Sequence, residues 1–303
     1  MAEADAGRLE QYTLIEAALI ASGADNPEEL DRYRRKYEIW REAAKAACLS
    51  GDSPRHRAEA LFEFMHREIL PGGYDSGATE LTGLLDTGRF NCASATVLFN
   101  ALAADCGLDA RAIELPRHAF SEIISAGDPL PIETTCPTWF HASESTGRTA
   151  RHVTSATDLS AAAATGREVS PTALVGVIYY NRGIDFLDRE QFPAAVSANL
   201  RALRFDPANA AAEGNLLAAI NNWALARSAA GEYRAAAELL AKGRQIAPDH
   251  EPFANNQRHV YRLWIESLAA AGRRAEAAGV LAAAKQAQPA SLLWTLCAKR
   301  FGL

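Results

Sequence analysis

A repeat of 41 residues in the C-terminal part of the chain constrains the fold more than any other feature. Three segments align without gaps: REQFPAAVSANLRALRFDP, AGEYRAAAELLAKGRQIAP and AGRRAEAAGVLAAAKQAQP. The positions that recur every 41 residues are a turn residue, a small residue and a terminal proline: Glu190, Gly231 and Gly272; Ala195, Ala236 and Ala277; Pro207, Pro248 and Pro289. A fixed period with alanines where two helices touch predicts a solenoid of helix–turn–helix units.

These segments resemble tetratricopeptide repeats, whose usual period is about 34 residues. The additional residues amount to about two helical turns, so a lengthened helix keeps its buried face in register. We expect three repeats over residues 167–303, closed by a helix in ASLLWTLCAKRFGL. An irregular alanine-rich bundle is the alternative, which the fixed period disfavours.

The resemblance implies that a peptide or protein partner binds along the face lined by the first helix of each repeat. It places Tyr180, Asn221 and Arg262, each 41 residues from the next, on that face. The Asn and Arg side chains there are suited to hold a peptide backbone or a carboxylate. The alternative is that the repeats only pack on the preceding domain.

The N-terminal half predicts a different kind of structure. Residues 1–54 are expected to be helical, and the segment GDSPRHRAEALFEFMHREIL predicts a helix capped by Asp52 or Ser53 with Pro54 in its first turn. A further helix is predicted from about Asn91 to Cys106 and Gly107, with one apolar stripe formed by Ala95, Leu98, Phe99 and Leu102.

The segments ARAIEL and HAFSEII alternate or cluster as strands do, and LPIETT is a candidate third strand. A helix followed by short adjacent strands predicts an α+β domain with an antiparallel sheet over residues 55–142. Residues 143–166 are rich in Ser, Thr and Ala, and we interpret them as a linker or a mobile loop.

Cys92 has two interpretations. Cysteine is often buried, and Cys92 shares an apolar helical face with Phe99, which favours a structural thiol. However, the first turn of a helix stabilises a thiolate. His118 at the start of a strand could take the thiol proton, and Glu133 on a neighbouring strand could orient the imidazole. This order of residues is that of a nucleophile, a base and an orienting acid.

The run GRFNCASATVLFNALAADCGLDARAIELPRHAF followed by IETT resembles the core of the transglutaminase-like branch of the papain-like fold. It is also similar to the bacterial SirB1-like group, which joins such a core to these repeats. The resemblance covers about residues 55–142 and implies that Cys92 is the nucleophile, His118 the base and Glu133 the orienting residue. The family usually has Asp at the third position.

The implied chemistry is acyl transfer through a thioester, giving amide or peptide hydrolysis with water or transamidation with an amine. The oxyanion hole would use the Cys92 backbone N–H and an upstream donor, for which Asn91 and Tyr74 are the candidates. Since SirB1-like proteins can lack the catalytic residues, the alternative is an inactive scaffold whose repeats mediate protein–protein interaction.

Composition excludes several other functions. A net charge of −6 argues against a nucleic-acid partner. There is no apolar run long enough for a membrane span and no signal-like start, so we expect a cytoplasmic protein. The five cysteines are an odd number without a C-x-x-C motif, so neither a disulfide framework nor a zinc site is predicted, and Cys106 is expected in the core. No metal and no cofactor is predicted.

Overall fold

The computed structural model describes residues 8–125, 129–141 and 156–303. These residues form two compact units. The first contains the described residues up to Arg182 together with Arg201–Asn209, and the second contains Gly183–Leu200 and Ala210–Leu303. Each unit is described separately.

Six α-helices lie completely within the described residues of the first unit. Their bounds are α1 Leu14–Ala21, α2 Pro27–Cys48, α3 Pro54–Phe64, α4 Leu81–Thr87, α5 Cys92–Asp105 and α6 Ala156–Ala163. A π-helical turn, Met65–Ile69, extends α3. The α3 cap is Ser53, whose side chain accepts the backbone N–H of His56, and Pro54 follows it at the first helical position, where its missing N–H costs nothing.

Two sheets accompany these helices. A small parallel pair joins β1, Gly73–Tyr74, to β2, Arg89–Phe90. The larger sheet is antiparallel with the strand order β5-β4-β3-β6, and its strands are β3 Asp109–Leu115, β4 His118–Ile124, β5 Leu130–Ile132 and β6 Arg167–Val169. The predicted antiparallel sheet is therefore present.

The sheet extends beyond the predicted domain boundary at residue 142. Residues 142–155, most of the predicted linker, lie outside the described residues, but residues 156–163 form α6. Leu159 of α6 is buried against Ile113 and Phe120. Strand β6 then pairs with β3 through Ala112 and Val169, so residues 167–169 belong to the sheet rather than to the repeats. A strand of three residues is too short to show an alternating pattern, which explains why the sequence did not predict it.

Helix α5 is buried on all sides, not only along the predicted stripe. Every residue from Ala93 to Ala103 is buried. The helix packs on β3 and β4 and also contacts α1, α2, α3 and α4. Its many Ala, Ser and Thr side chains are small enough to let these elements approach from several directions, so α5 is the central helix of the first unit.

The C-terminal region is entirely helical. The helices are α7 Pro171–Asp188, α8 Phe192–Phe205, α9 Ala210–Ala229, α10 Tyr233–Ile246, α11 Glu251–Ala270, α12 Arg274–Ala287 and α13 Leu293–Phe301. Helices α7 and α8 contribute residues to both units. From α9 to α13 each helix packs on the next, and α9 also contacts α11. No helix in the described ranges is both long and apolar enough to cross a membrane.

The 41-residue period is visible in the backbone of this region. The turn residues Glu190, Gly231 and Gly272 all have left-handed φ angles, of 57°, 80° and 74°. The equivalent alanines are fully buried, with 0% exposure at Ala195, Ala236 and Ala277. The repeated positions thus mark the tight turns and the helix contacts, as the sequence predicted. The fold as a whole is a mixed α and β unit followed by a helical region.

Candidate active site

Cys92 is the first residue of α5 and is partly exposed. Asn91 caps the helix: its side-chain oxygen accepts the Ser94 backbone N–H at 3.0 Å, and its backbone N–H donates to the Ser94 hydroxyl at 2.9 Å. The first N–H groups of a helix have no acceptor within the helix, and they carry a partial positive charge. The thiol therefore lies where an anion is stabilised.

His118 and Glu133 form a hydrogen-bonded ion pair. A two-residue turn, in which Arg117 has a φ of 67°, places His118 at the start of β4. Glu133 follows β5, the strand paired with β4. The Nε2 atom of His118 is 2.7 Å from Oε2 of Glu133, and the side chains are 24% and 1% exposed. The other carboxylate oxygen accepts the Thr135 backbone N–H at 3.0 Å and the Thr135 hydroxyl, so the carboxylate is fixed on both sides.

Cys92 lies near enough to His118 to raise the pKa of that imidazole. Because Glu133 occupies Nε2, Nδ1 is the ring nitrogen left to accept or donate a proton on the side of the thiol. The structure therefore brings together all three residues that the sequence singled out, from a helix start, a strand start and a strand end. The longer side chain of Glu133 reaches the imidazole directly, although the resembling family usually has Asp there.

The electrostatics favour a protonated imidazole beside an ionised carboxylate. Burial lowers the pKa of His118, but its hydrogen bonds with Cys92 and Glu133, together with their negative charges, outweigh burial and raise this pKa to about 10. Burial raises the pKa of Glu133, but hydrogen bonds from His118 and Thr135 lower it below its ordinary value. At neutral pH the His118 imidazolium and the Glu133 carboxylate are the stable forms.

Asn91 is not available as the oxyanion donor that the sequence suggested. Its side chain is buried, and its amide group donates to the Ser76 carbonyl at 3.1 Å and to the Thr79 hydroxyl at 2.6 Å. Both amide hydrogens are therefore used to hold the loop before α4 against the start of α5. The sequence placed the start of the helix near Asn91, but the partners of its amide lie too far along the chain to be predicted.

Tyr74 is the other oxyanion candidate, and it lies beside the site. The parallel pairing of β1 with β2 sets Tyr74 opposite Phe90, and the two rings pack edge to face. Partial burial raises the pKa of Tyr74, and so do the negative charges of Cys92 and Glu133. Its hydroxyl thus stays protonated at neutral pH, as a hydrogen-bond donor must.

Sequence reasoning missed His66, which lies behind the site. Its Nε2 atom is 3.1 Å from the carbonyl oxygen of Thr134, the residue after Glu133. Burial lowers the pKa of His66 to about 4 despite that bond, so the ring is neutral and donates to the carbonyl. The Thr134 hydroxyl is also 3.1 Å from that of Thr96 on α5. These contacts fix the segment that carries Glu133. No local signal distinguishes His66 from an ordinary helical histidine.

A group of potential metal ligands lies among the described residues outside this site. Ligand atoms of Glu59, Glu63 and His141 are all within 4.8 Å of one another. The Nε2 atom of His141 is 2.8 Å from a carboxylate oxygen of Glu63. His141 is exposed, and a surface ion pair accounts for this cluster without a metal.

The first unit has a cavity of about 620 Å³, but it does not include the site. It is lined by α1, α2, the C-terminal half of α5, β3 and β6. Its charged side chains already have partners, such as Arg34 with Glu16 at 2.7 Å and Tyr37 with Asp105 at 2.7 Å. The cavity therefore gives no chemical argument for a ligand.

The predicted partner-binding residues are divided between the two units. Tyr180 belongs to the first unit, whereas Asn221 and Arg262 belong to the second. The side-chain oxygen of Asn221 accepts the amide of Asn256 at 2.7 Å, and Arg262 donates to both oxygens of Glu266 at 2.8 Å. Both polar groups that were expected to hold a peptide are thus engaged within the chain.

A second cavity of about 620 Å³ lies in the second unit, lined by α10, α11 and α12. Tyr261 and Trp264 are stacked in it with ring centroids 6.4 Å apart, and the Arg234 guanidinium lies 5.7 Å from the Trp264 ring. Trp223 and Trp264 occur at the repeat interval, a signal that sequence reasoning did not use. The cavity is lined by α11, the first helix of its repeat, together with the second helices α10 and α12, and Arg262 is not among its lining residues.

Comparison of the chain with protein-family models, with curated proteins and with solved structures found no match. The functional interpretation therefore depends on the geometry of the site.

Proposed function

We propose that the protein is a cysteine-dependent acyl-transfer enzyme with a transglutaminase-like core of the papain-like fold. The observation that supports this most strongly is the hydrogen bond between His118 and the buried Glu133, in an imidazole whose pKa is also raised by the neighbouring Cys92. A structural thiol does not require a neighbouring imidazole, nor a buried carboxylate that orients this imidazole. A nucleophile requires both.

In the first step, the Cys92 thiolate attacks the carbonyl carbon of an amide or peptide. The carbonyl π electrons move to oxygen, which the Cys92 backbone N–H and the Tyr74 hydroxyl stabilise. The C–N bond then breaks as His118 donates its Nδ1 proton to the leaving amine. A thioester and a neutral imidazole remain, and Glu133 keeps the Nε2–H in place.

In the second step, water or an amine attacks the thioester. His118 removes a proton from the attacking group and becomes an imidazolium again, and the C–S bond breaks to regenerate the Cys92 thiolate. Water yields a carboxylic acid, which makes the enzyme an amide or peptide hydrolase. An amine yields a new amide, which makes it a transamidase. Neither step needs a metal or an organic cofactor.

The proposed substrate is a protein or peptide that the helical repeats bind. The stacked Tyr261 and Trp264 suit an apolar or aromatic side chain, and Arg234 and Glu238 at the same cavity suit charged neighbours. Trp264→Ala is expected to weaken the binding of a fluorescent peptide library by at least tenfold. The predicted contact Arg262 is tested in parallel by Arg262→Glu. If only Arg262→Glu weakens binding, the predicted face is the contact surface; if neither variant does, the repeats are not the substrate-binding part.

The acyl-transfer proposal is tested with an activated ester, such as a nitrophenyl acetate. We expect a burst of nitrophenol and an acetyl group on Cys92, trapped in acid and located by mass spectrometry. Cys92→Ala should remove both signals. The matched control is Cys136→Ser, because Cys136 is the other half-exposed thiol of the chain. Acetylation of Cys136 instead of Cys92 would contradict the proposal.

An inactive scaffold is the second candidate function. It is favoured by the fact that Cys92 does not line either of the two cavities of about 620 Å³. In that case the repeats carry the function, and the first unit has no catalytic role. The scaffold hypothesis predicts peptide binding to the Trp264 cavity without any acyl adduct, and iodoacetamide at pH 6 would modify Cys92 no faster than Cys136. A preference of tenfold or more for Cys92 would exclude it.

A further inference from the structure

Two buried cysteines outside the proposed active site are in direct contact. Cys48 is the last residue of α2, and Cys106 caps the C-terminal end of α5. Their sulfur atoms are 2.8 Å apart, although 58 positions of sequence separate them. The residues are only 2% and 7% exposed. The odd number of cysteines and their wide spacing gave no hint of this pair.

Arg57 of α3 holds the two helix ends together. Its backbone carbonyl accepts a weak hydrogen bond from the Cys48 thiol at 3.7 Å, and its guanidinium donates to the Cys106 carbonyl oxygen. Contacts between α2 and α3 and between α3 and α5 support the same arrangement. The thiols are thus held against each other by three packed helices, so they can join without a large backbone movement.

We propose that Cys48 and Cys106 form a reversible disulfide that links α2 to α5. With a peroxide as the oxidant, the Cys48 thiolate attacks one peroxide oxygen, the O–O bond breaks, and a sulfenic acid and hydroxide form. The Cys106 sulfur then attacks the Cys48 sulfur and displaces its hydroxyl group. The hydroxyl group leaves with the Cys106 proton as water. Two thiols lose two electrons and two protons in total, and the peroxide is reduced to two molecules of water.

The local electrostatics give the order of these steps. The hydrogen bond between the two thiols lowers the pKa of Cys48, burial opposes this effect, and the nearby Arg57 charge lowers the pKa further. The same hydrogen bond raises the pKa of Cys106. Cys48 is therefore the sulfur that reacts with the oxidant first, and Cys106 is the resolving thiol.

The pair is separate from the proposed catalytic thiol. Cys92 and Cys106 lie at opposite ends of α5, which at about 1.5 Å per residue places them about 20 Å apart. A disulfide between those two is therefore excluded while the helix is intact. The Cys48–Cys106 bond instead anchors the C-terminal end of the central helix and leaves Cys92 free.

The full-length protein, purified under reducing conditions, is treated with hydrogen peroxide, and its remaining thiols are alkylated. We expect the intact mass to show the loss of two hydrogens per chain, reversed by dithiothreitol. Trypsin leaves Cys48 in residues 46–55, but it leaves Cys92 and Cys106 together in residues 90–111. Additional cleavage before Asp105 separates those two and identifies the partner of Cys48. The oxidised protein should also melt several degrees higher than the reduced one.

Cys48→Ser and Cys106→Ser should each abolish the mass loss, whereas Cys297→Ser, a buried cysteine of the second unit, should not affect it. Peptide mapping of the disulfide in the wild-type protein tests the proposal even if a variant fails to fold. A disulfide between any other pair, a sulfinic acid on Cys48, or two free thiols after peroxide treatment would overturn the proposal. Because Cys92 is not involved, Cys92→Ala should form the same disulfide, and this result is independent of the acyl-transfer activity.

Discussion

Helices α5 and α10 each contain 14 residues, but they are built into the protein in different ways. Helix α5 is buried from Ala93 to Ala103 and includes the polar residues Ser94, Thr96 and Asn100 in its interior contacts. Helix α10 is buried only along one stripe, formed by Ala236, Ala237, Leu240 and Gly243. It packs on the helices immediately before and after it in the chain.

The two helices differ in which parts of the chain supply the residues that contact them. Asn100 on α5 donates to Ser121 at 2.7 Å and Thr96 contacts Thr134 at 3.1 Å, across different elements of the first unit. In the second unit, the aromatic ring of Phe253 lies where a Cβ atom on Gly243 would be, and the two residues belong to consecutive helices. Polar residues held from several directions can create a reactive site, whereas a repeated local contact creates a regular surface.

The largest expected effect concerns the site at the start of α5. Cys92→Ala should reduce acyl transfer by about 10³-fold or more, and His118→Ala should do nearly the same because the thiolate loses its counter-ion. Glu133→Gln should cost less, since it only removes the charge that orients the imidazole. Steady-state kinetics measure these losses. If Cys92→Ala retained as much activity as the control Cys136→Ser, the site would not be catalytic.

The next effect is the pH dependence of stability in the first unit. The folded pKa of His118, about 10, is above its unfolded value of about 6.5. Its contribution to the free energy of unfolding is therefore complete below pH about 6.5 and is lost as the pH rises through 10. The difference in unfolding free energy between wild type and His118→Gln should shrink by on the order of 3 kcal/mol over this range.

Urea denaturation at several pH values measures that difference, and the NMR shift of the His118 ring gives its pKa directly. A ring that titrates near 6.5 would show that the imidazolium is not held by its two neighbours. The contacts around α5 would then not change the protonation of His118, and the two units would not differ in this electrostatic respect.

A smaller effect is expected from crowding a helix contact in the second unit. Ala236→Leu introduces three carbons at a fully buried position and should destabilise the protein by about 1–3 kcal/mol. Ala226→Leu, at an exposed position of α9, is the matched control and should change stability by less than about 0.5 kcal/mol. Thermal unfolding measures both. Alkylation of Cys92 should be unchanged, because its partners belong to the first unit; slower alkylation in Ala236→Leu would contradict this.

The smallest effect is expected at the repeat turns. Glu190 has a φ of 57° at the position where the other two repeats have Gly231 and Gly272. A left-handed conformation costs a residue with a Cβ atom about 1 kcal/mol, so Glu190→Gly should stabilise the protein by up to that amount. Gly231→Ala should destabilise it by a similar amount. Chemical denaturation of both variants tests whether the turns are equivalent, and a destabilising Glu190→Gly would show that they are not.

The amino-acid sequence was sufficient for those features whose cause is local. The 41-residue period predicted the turns at Gly231 and Gly272 and the buried alanines. Each repeat contacts only its neighbours, so the same residue types are required at the same positions in every repeat. The same holds for α5, which was predicted to begin near Asn91 and to end at Cys106 and Gly107, and which extends from Cys92 to Asp105. The antiparallel pairing of β3 with β4 follows from a two-residue turn.

The tertiary structure decided everything that depends on partners distant in the chain. It showed that both amide hydrogens of Asn91 are already donated, that His66 supports Thr134, that β6 completes the sheet, and that Cys48 meets Cys106. The sequence could name Cys92, His118 and Glu133, but only the packing of α5 on β4 and the pairing of β4 with β5 set the 2.7 Å contact between His118 and Glu133, which raises the pKa of His118 against the opposing effect of burial. Desolvation and hydrogen-bond geometry arise from atoms that surround a group in space, and a linear pattern does not contain them.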